Sequence, residues 1–193
     1  MSVSTSGSQN VTIINSKKLW IYGYEDLADP RTKDWLLVSS FTPVLAWDAL
    51  YLLMAFYLPK IAIRYKPRQL KPILIAYNTA MALLNFHILK EVVVNAAQLN
   101  YNYLCQPCRV IYSKHEIKLA AAVWWFYFSK LLEFSDTLFF ILRHKWKQLT
   151  PLHIYHHSTM FPLWWIAIKW LPTGSSTIYY WASLGPTGYP GQM

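Results

Sequence analysis

Long apolar blocks separated by shorter polar ones run through most of this chain. Four of them are long enough to predict membrane-spanning helices, at about residues 36–58, 73–89, 117–142 and 152–171. A helix needs about 20 mostly apolar residues to cross a hydrocarbon core of about 30 Å. The pattern therefore predicts an all-α membrane protein with four transmembrane helices in a domain at 36–171, between an N-terminal segment at 1–35 and a tail at 172–193.

Composition and charge narrow the class of partner. Hydrophobic residues make up 54% and aromatic residues 17% of the 193 residues, and only 14% are charged, which is typical of a membrane protein rather than a soluble globule. The formal net charge of +9 could favour nucleic acid, but the basic residues stand mainly beside the apolar blocks. We therefore expect the lipid bilayer as a partner and no nucleic acid.

The basic residues also predict the direction in which the helices cross. Two clusters separate the first block from the second and the third from the fourth, and they contain Lys60, Arg64, Lys66, Arg68, Lys71, Arg143, Lys145 and Lys147. Loops rich in Lys and Arg stay on the cytosolic side of a membrane. The N-terminal segment, the loop at 90–116 and the tail are then lumenal.

Two features of the lumenal segments fit this orientation. Asn10 begins an Asn-Val-Thr triplet, which is an acceptor for N-glycosylation in the lumen. Cys105 and Cys108 fall in the lumenal loop, where disulfides persist. They are disulfide candidates, with each other or with another partner, and a redox site or a zinc site is the less favoured alternative because no second Cys or His pair stands nearby.

The third block contains ionisable residues at helical spacing. Lys130, Glu133, Asp136 and Thr137 are three or four residues apart, so they share one helical face. Charges at membrane depth cost a few kcal/mol or more, so they usually mark a functional site. The structural alternative is a buried salt bridge between Lys130 and Glu133 that holds helices in register.

Three imidazoles open the fourth block. His153, His156 and His157 repeat at i, i+3 and i+4, and Pro151 suits the first turn of a helix, so this histidine box lies at the predicted cytosolic end. Imidazole can bind metal, move protons or act as a nucleophile. The chain has only six His, too few for the several boxes of a di-iron oxygenase, so we do not expect that class of enzyme.

Together these residues resemble the very-long-chain fatty acid elongases of the endoplasmic reticulum, the ELO family. The resemblance covers about residues 20–173 and rests on Lys130-x-x-Glu133-x-x-Asp136-Thr137, His153-x-x-His156-His157 and Asp29-Pro30-Arg31. It implies a seven-helix membrane protein of the reticulum in which six helices enclose an acyl tunnel. It also implies the condensation of malonyl-CoA with a long-chain acyl-CoA to give 3-oxoacyl-CoA, CO2 and CoA, without a metal or other cofactor. Other enzymes of the elongation cycle and elongase oligomers are the protein partners it implies.

The resemblance also assigns roles to residues. His156 is the expected nucleophile, which would form an acyl-histidine intermediate, and His153 and His157 would orient it or move protons. The other expected catalytic residues are Lys130, Glu133 and Asp136, and the expected substrate-binding residues are Thr137, Arg143, Lys145 and Lys147.

The likeness to the family weakens after residue 171. The family continues for three more helices with a further catalytic histidine, whereas no histidine follows His157 here. Residues 178–180 and 182–186 are similar to the segment that normally follows that histidine. We therefore expect a C-terminally truncated elongase with an internal deletion. The alternative is a non-catalytic elongase-like fragment that associates with full-length elongases.

Overall fold

The computed structural model describes residues 12–13, 28–101 and 109–173. Within these ranges the chain forms the helices α1 (Thr42–Ala62), α2 (Lys71–Gln98), α3 (Lys114–Leu132), α4 (Phe134–Leu142) and α5 (Pro151–Trp170). The two-residue strands β1 (Thr12–Ile13) and β2 (Arg109–Val110) pair antiparallel. Asn10, Cys105 and Cys108 lie outside the described residues, so the glycosylation site and the disulfide stay predictions.

The helices begin where the local sequence favours a helix start. A proline occupies the first turn of α1, α2 and α5, where its missing N–H costs no intrahelical hydrogen bond. Ser113 caps α3 by accepting a hydrogen bond from the Glu116 N–H at 3.1 Å. Thr150 caps α5 in the same way, with the His153 N–H at 3.1 Å. These caps fix the residue at which each helix starts.

The third predicted block is two helices rather than one. α3 ends before Glu133 and α4 begins after it, so the prediction of a single helix over 117–142 is wrong at this residue. The Asp136 N–H donates to the Glu133 carbonyl at 3.0 Å, an i to i+3 bond that tightens the turn. The tightened turn lies among the ionisable residues Lys130, Glu133 and Asp136. Hydrophobic periodicity does not predict a turn of this kind.

The other differences are in length. α1 starts at Thr42, later than the predicted residue 36, because the chain from 30 to 39 forms turns with Leu37 at φ 62°. α2 continues to Gln98, beyond the predicted residue 89, because Lys90 and Glu91 interrupt the apolar block without ending the helix.

The helices pack into one bundle with a shared core. α2 packs against α3, α3 against α5, α5 against α1, and α1 against α4. The core includes Tyr51 from α1, Val92 from α2, Tyr127 from α3 and Phe161 from α5. The rings of Tyr127 and Phe161 stack with their centroids 5.1 Å apart. Aromatic packing of this kind adds to the free energy gained from buried area.

The two basic loops meet at one end of the bundle. The Arg68 N–H donates to the Leu142 carbonyl at 2.9 Å, and a ring nitrogen of His144 lies 3.1 Å from the Ala62 carbonyl oxygen. α1 and α4 therefore end side by side, and α5 starts after the short loop that follows α4. This arrangement agrees with the prediction that both loops lie on the same side of a membrane.

A buried ion cluster closes the opposite end. The Arg31 guanidinium bonds to Asp29 at 2.6 Å and to Glu116 at 3.4 Å, and its side chain is 3% exposed. It also donates to Thr173 and to the Ile111 carbonyl. Burial lowers the pKa of Arg31, but its hydrogen bonds to Asp29 and the charges of Asp29 and Glu116 outweigh that effect and raise it. The cluster joins the segment before α1 to the ends of α3 and α5.

Two of the described helices, α1 and α2, are long and apolar enough to cross a membrane. Their outward surfaces carry exposed side chains such as Leu53, Phe56, Leu83 and Phe86, which suits contact with lipid. The other predicted spans contain more polar residues. The first turns of α3 carry Lys114, Glu116 and Lys118, and α5 carries the histidine box.

Removal of Arg31 should destabilise the fold strongly. Arg31→Met leaves Asp29 and Glu116 as buried carboxylates without their cation, and breaking such a pair costs about 3–5 kcal/mol. Unfolding in detergent, followed by circular dichroism, measures the change. Lys33→Met removes an exposed cation two residues away and should have little effect. Equal stability of the two variants would contradict the proposed role of the cluster.

Candidate functional site

The three histidines of the box form one cluster in three different environments. The His153 and His157 rings lie 4.4 Å apart between centroids, and the His156 and His157 rings 5.3 Å apart. His157 is buried, with 8% of its surface exposed. His153 is half-buried and His156 is exposed. The predicted clustering is confirmed, and only His156 faces freely outward.

Hydrogen bonds distinguish the rings further. His153 Nε2 lies 2.8 Å from Thr137 Oγ1, and the same oxygen lies 3.2 Å from the Tyr51 hydroxyl. Among the described residues, the ring nitrogens of His156 and His157 have no hydrogen-bond partner. His153 is therefore anchored to α4 and α1, while the other two rings keep their nitrogens open for chemistry.

The ionisable stripe divides into an ion pair and a separate carboxylate. Lys130 Nζ lies 2.8 Å from Glu133 Oε1, with 14% and 16% of the two side chains exposed, and it also lies 4.3 Å from the centre of the Phe126 ring. The predicted pairing is confirmed. Because its partners are three residues apart, the pair fixes the turn between α3 and α4 rather than holding two distant helices in register. Asp136 points instead to a cavity.

That cavity, of about 490 Å³, lies between α2 and the segment from α4 to the following loop. It is lined by Lys71, Leu74, Ile75, Asn78, Asp136, Phe139, Phe140, Arg143, Lys145 and Gln148. Phe140 also packs against the His153 ring, with centroids 5.2 Å apart. The cavity and the histidine box therefore share a wall. Of the three basic residues predicted at the mouth, Arg143 and Lys145 line the cavity and Lys147 does not.

Sequence reasoning missed several residues of this region. Lys71 and Asn78 line the cavity from α2, and their spacing of seven residues, which places them on one face of that helix, was a usable signal. Tyr51 is buried at 2% exposure and its ring stacks on Phe134 at 4.3 Å. A single tyrosine in an apolar block gives no comparable signal, because aromatic residues are common in such blocks.

Metal ligands do not gather in the part of the chain that the structure describes. No group of three or more His, Cys, Asp or Glu side chains there could hold one ion. The expectation that the site works without a metal or other cofactor stays a prediction.

The chain is similar to known proteins over most of its length. Residues 36–184 match the GNS1/SUR4 family, also called ELO. Very long chain fatty acid elongase 4 of Homo sapiens is 43% identical over 150 residues, which cover 78% of this chain and 48% of that protein. Very long chain fatty acid elongase 5 of Rattus norvegicus is 39% identical over 156 residues, covering 81% of this chain and 51% of that protein. The chain thus spans about half the length of these relatives.

The Lys130–Glu133 pair should show measurable energetic coupling. In a double-mutant cycle with Lys130→Met and Glu133→Gln, we expect about 1 kcal/mol or more of coupling in the free energy of unfolding, because both groups are largely buried. The surface pair Lys90–Glu91, at 4.0 Å, is the matched control and should couple less. Coupling no greater than in the control would mean that the ion pair does not stabilise the turn.

Proposed function

Because the chain belongs to the ELO (GNS1/SUR4) family, we propose that its histidine box and basic cavity form the site of a condensing enzyme of very-long-chain fatty acid elongation. The reaction joins malonyl-CoA to a long-chain acyl-CoA and yields 3-oxoacyl-CoA, CO2 and CoA. The substrates are therefore two thioesters that carry the same phosphate-rich coenzyme.

One observation supports this proposal most strongly. The imidazole cluster, suited to acyl transfer, is adjacent to a cavity with cationic walls, suited to a phosphorylated coenzyme. Phe140 belongs to both, since it lines the cavity and contacts the His153 ring. A thioester whose coenzyme part occupied the cavity would have its carbonyl within reach of the box.

The first step of the proposed reaction is acyl transfer to His156. A neutral ring nitrogen attacks the thioester carbonyl, the carbon–sulfur bond breaks, and the thiolate of CoA leaves with a proton from the site. The product is an acyl-imidazole, which divides a difficult condensation into two easier steps. His156 suits this role because its ring is exposed and has no hydrogen-bond partner among the described residues.

The second step forms the carbon–carbon bond. Malonyl-CoA loses CO2, and the electron pair of the broken bond remains on the adjacent carbon as an enolate. This carbon attacks the acyl group on His156 and the bond from carbon to the ring nitrogen breaks. The electron pair of that bond stays on the nitrogen, which takes up a proton, and 3-oxoacyl-CoA leaves. The charge of Lys130, held beside the box by Glu133, would stabilise the enolate.

The basic lining of the cavity would bind the coenzyme. Lys71, Arg143 and Lys145 place three cations around one space, and the guanidinium of Arg143 can form paired hydrogen bonds with a phosphate. Asp136 lines the same space, and its carboxylate would repel phosphate from the part of the cavity that it lines. The thioester end of the coenzyme would then lie toward Asp136 and Phe140.

The membrane arrangement follows from the positions of the basic loops. We propose a multi-pass protein of the endoplasmic reticulum in which α1, α2, the α3–α4 segment and α5 cross the bilayer. The end where α1 and α4 finish would face the cytosol, and the end closed by Arg31 would face the lumen together with the N-terminus. Acyl-CoA and malonyl-CoA would then enter from the cytosol.

A second candidate is a non-catalytic membrane protein that associates with longer elongases. The observation that favours it is the set of large exposed apolar side chains on α1 and α2, such as Leu53, Phe56, Leu83 and Phe86. In that case these surfaces would serve association as well as contact with lipid.

Trapping of the acyl intermediate tests the role of His156. Radiolabelled long-chain acyl-CoA, supplied without malonyl-CoA, should leave label on the chain that hydroxylamine releases. His156→Ala should reduce this label by at least about a hundredfold, because a nucleophile is being removed. His87→Ala removes an exposed histidine of α2 and should leave the labelling unchanged. Full labelling of His156→Ala would contradict the proposed nucleophile.

Elongation measured in microsomes separates the two candidate functions. Incorporation of radiolabelled malonyl-CoA by the chain, and its loss in His156→Ala, would support the condensing enzyme. A fusion that appends the remaining part of Very long chain fatty acid elongase 4 is the companion sample. Activity in the fusion alone would support the site and assign the chain by itself to the second candidate, whereas inactivity of both would contradict the condensing enzyme.

Coenzyme binding should depend on the cationic walls. The double variant Arg143→Gln with Lys145→Gln should weaken the binding of CoA about tenfold, because charge-assisted hydrogen bonds to phosphate are lost, and should make binding less sensitive to salt. Calorimetry with the purified chain in nanodiscs measures both effects. Lys60→Gln with Arg64→Gln removes the same charge outside the cavity, and an equal loss in this variant would contradict the assignment.

A further inference from the structure

Tyr51 is a buried polar residue that the proposed reaction does not use. It lies on α1, outside both motifs that mark the site, and its side chain is 2% exposed. Its ring is fixed by stacking on Phe134 at 4.3 Å and lies 6.2 Å from the His157 ring. Its hydroxyl lies 3.2 Å from Thr137 Oγ1. Thr137 is fully buried, so neither hydroxyl is open to solvent.

These two hydroxyls and the His153 ring form one hydrogen-bonded chain across three helices. Thr137 Oγ1 is the centre, with Tyr51 on one side and His153 Nε2 at 2.8 Å on the other. Each hydroxyl carries one proton to donate, while a neutral imidazole has one nitrogen that donates and one that accepts. The direction of the protons along the chain therefore determines which nitrogen of His153 carries its hydrogen.

Only one direction gives both buried hydroxyl protons an acceptor. Within the described residues, Thr137 is the only hydrogen-bond partner of the Tyr51 hydroxyl, so a reversed chain would leave the Tyr51 proton buried without an acceptor. If Tyr51 and His153 both donated to Thr137, the Thr137 proton would have none. A buried donor without a partner carries a substantial penalty. The remaining direction runs from Tyr51 to Thr137 to His153 Nε2.

We propose that Thr137 is a positioning residue which, with the Tyr51 proton already directed at its oxygen, holds His153 as the tautomer with its hydrogen on Nδ1. The nitrogen that faces Thr137 is then occupied as an acceptor and is withdrawn from nucleophilic attack. The Nδ1–H group remains as a donor on a half-buried ring beside His157. Acyl transfer is thereby left to His156, a consequence that rests on the proposed function, whereas the tautomer itself does not.

The nearest carboxylate on α1 does not alter this assignment. Asp48 lies one helical turn before Tyr51, but its buried Oδ1 has no hydrogen-bond partner among the described residues. The Tyr51 proton is therefore not directed toward it. Within the described ranges the hydroxyl has one hydrogen-bond partner, Thr137, and Thr137 contacts the histidine box.

Nitrogen NMR of the full chain in nanodiscs, with labelled histidine and no substrate, tests the proposal. His153→Gln identifies the resonances of His153. We expect the Nε2 of the unmodified chain to lack hydrogen, and Thr137→Val, which removes the donor to Nε2, to shift the tautomer ratio toward Nε2–H by about fivefold, the equivalent of about 1 kcal/mol for one hydrogen bond. Hydrogen on Nε2 in the unmodified chain, or an unchanged ratio in Thr137→Val, would overturn the proposal.

Matched variants separate the relay from a general loss of packing. Thr137→Ser keeps the central hydroxyl and should preserve the tautomer. Tyr51→Phe should preserve it too, because the Thr137 proton still has His153 Nε2 as its acceptor. Tyr127→Phe removes a buried phenol hydroxyl that donates to the Leu37 carbonyl at 3.0 Å and should likewise leave the tautomer unchanged. A ratio that shifts in Thr137→Ser would overturn the proposal even if Thr137→Val fails to fold.

Two readouts keep this proposal distinct from the proposed function. The tautomer is observed without acyl-CoA, so a shifted ratio in a chain that never accepts an acyl label would support the relay and contradict the acyl transfer. In a chain that does accept the label, Thr137→Val should slow labelling at saturating acyl-CoA and leave the concentration for half-maximal labelling unchanged. A change confined to that concentration would contradict a positioning role.

Discussion

Polar groups buried in an apolar bundle need partners inside that bundle, and the two ends of this molecule are built around the pairs that result. At one end, Arg31 satisfies Asp29 and Glu116. At the other, Thr137 satisfies both Tyr51 and His153. In an apolar surrounding such hydrogen bonds are directional and expensive to break, so each fixes the relative position of segments that hydrophobic contact alone would leave free to slide. The histidine box owes its geometry to this constraint.

How much of this could be foreseen depends on the distance along the chain over which each interaction acts. The box, its helix start and the Lys130–Glu133 pair are local, so residue type and spacing were sufficient to predict them. The contact of Tyr51 with Thr137 joins residues 86 positions apart, and no pattern within one block encodes it. The cavity is another such case, because its walls come from α2 and from the segment after α4. The break at Glu133 was missed because a single tight turn hardly changes the apolar period.

The positions of the basic loops link the fold to its chemistry. Because both loops lie at the end where α5 begins, the same cations that would orient the chain in a membrane by the positive-inside rule also surround the space beside the box. Arg143 belongs to the loop after α4 and lines the cavity. Under the proposed function, membrane topology and recognition of an anionic coenzyme both require cations at this end of the bundle, and one set of residues would serve for both.

Three copies of one residue type can take three roles only if their surroundings differ, and here the start of α5 sets the difference. Thr150 and Pro151 determine where the helix begins, and the start determines which side of it each histidine occupies. A shift of one residue rotates a helix by about 100°, enough to turn His153 away from Thr137 and to exchange the exposed position of His156 for a buried one. The cap at Thr150 is therefore part of the site, since it assigns hydrogen bonding to one imidazole, enclosure to a second and an exposed position to the third.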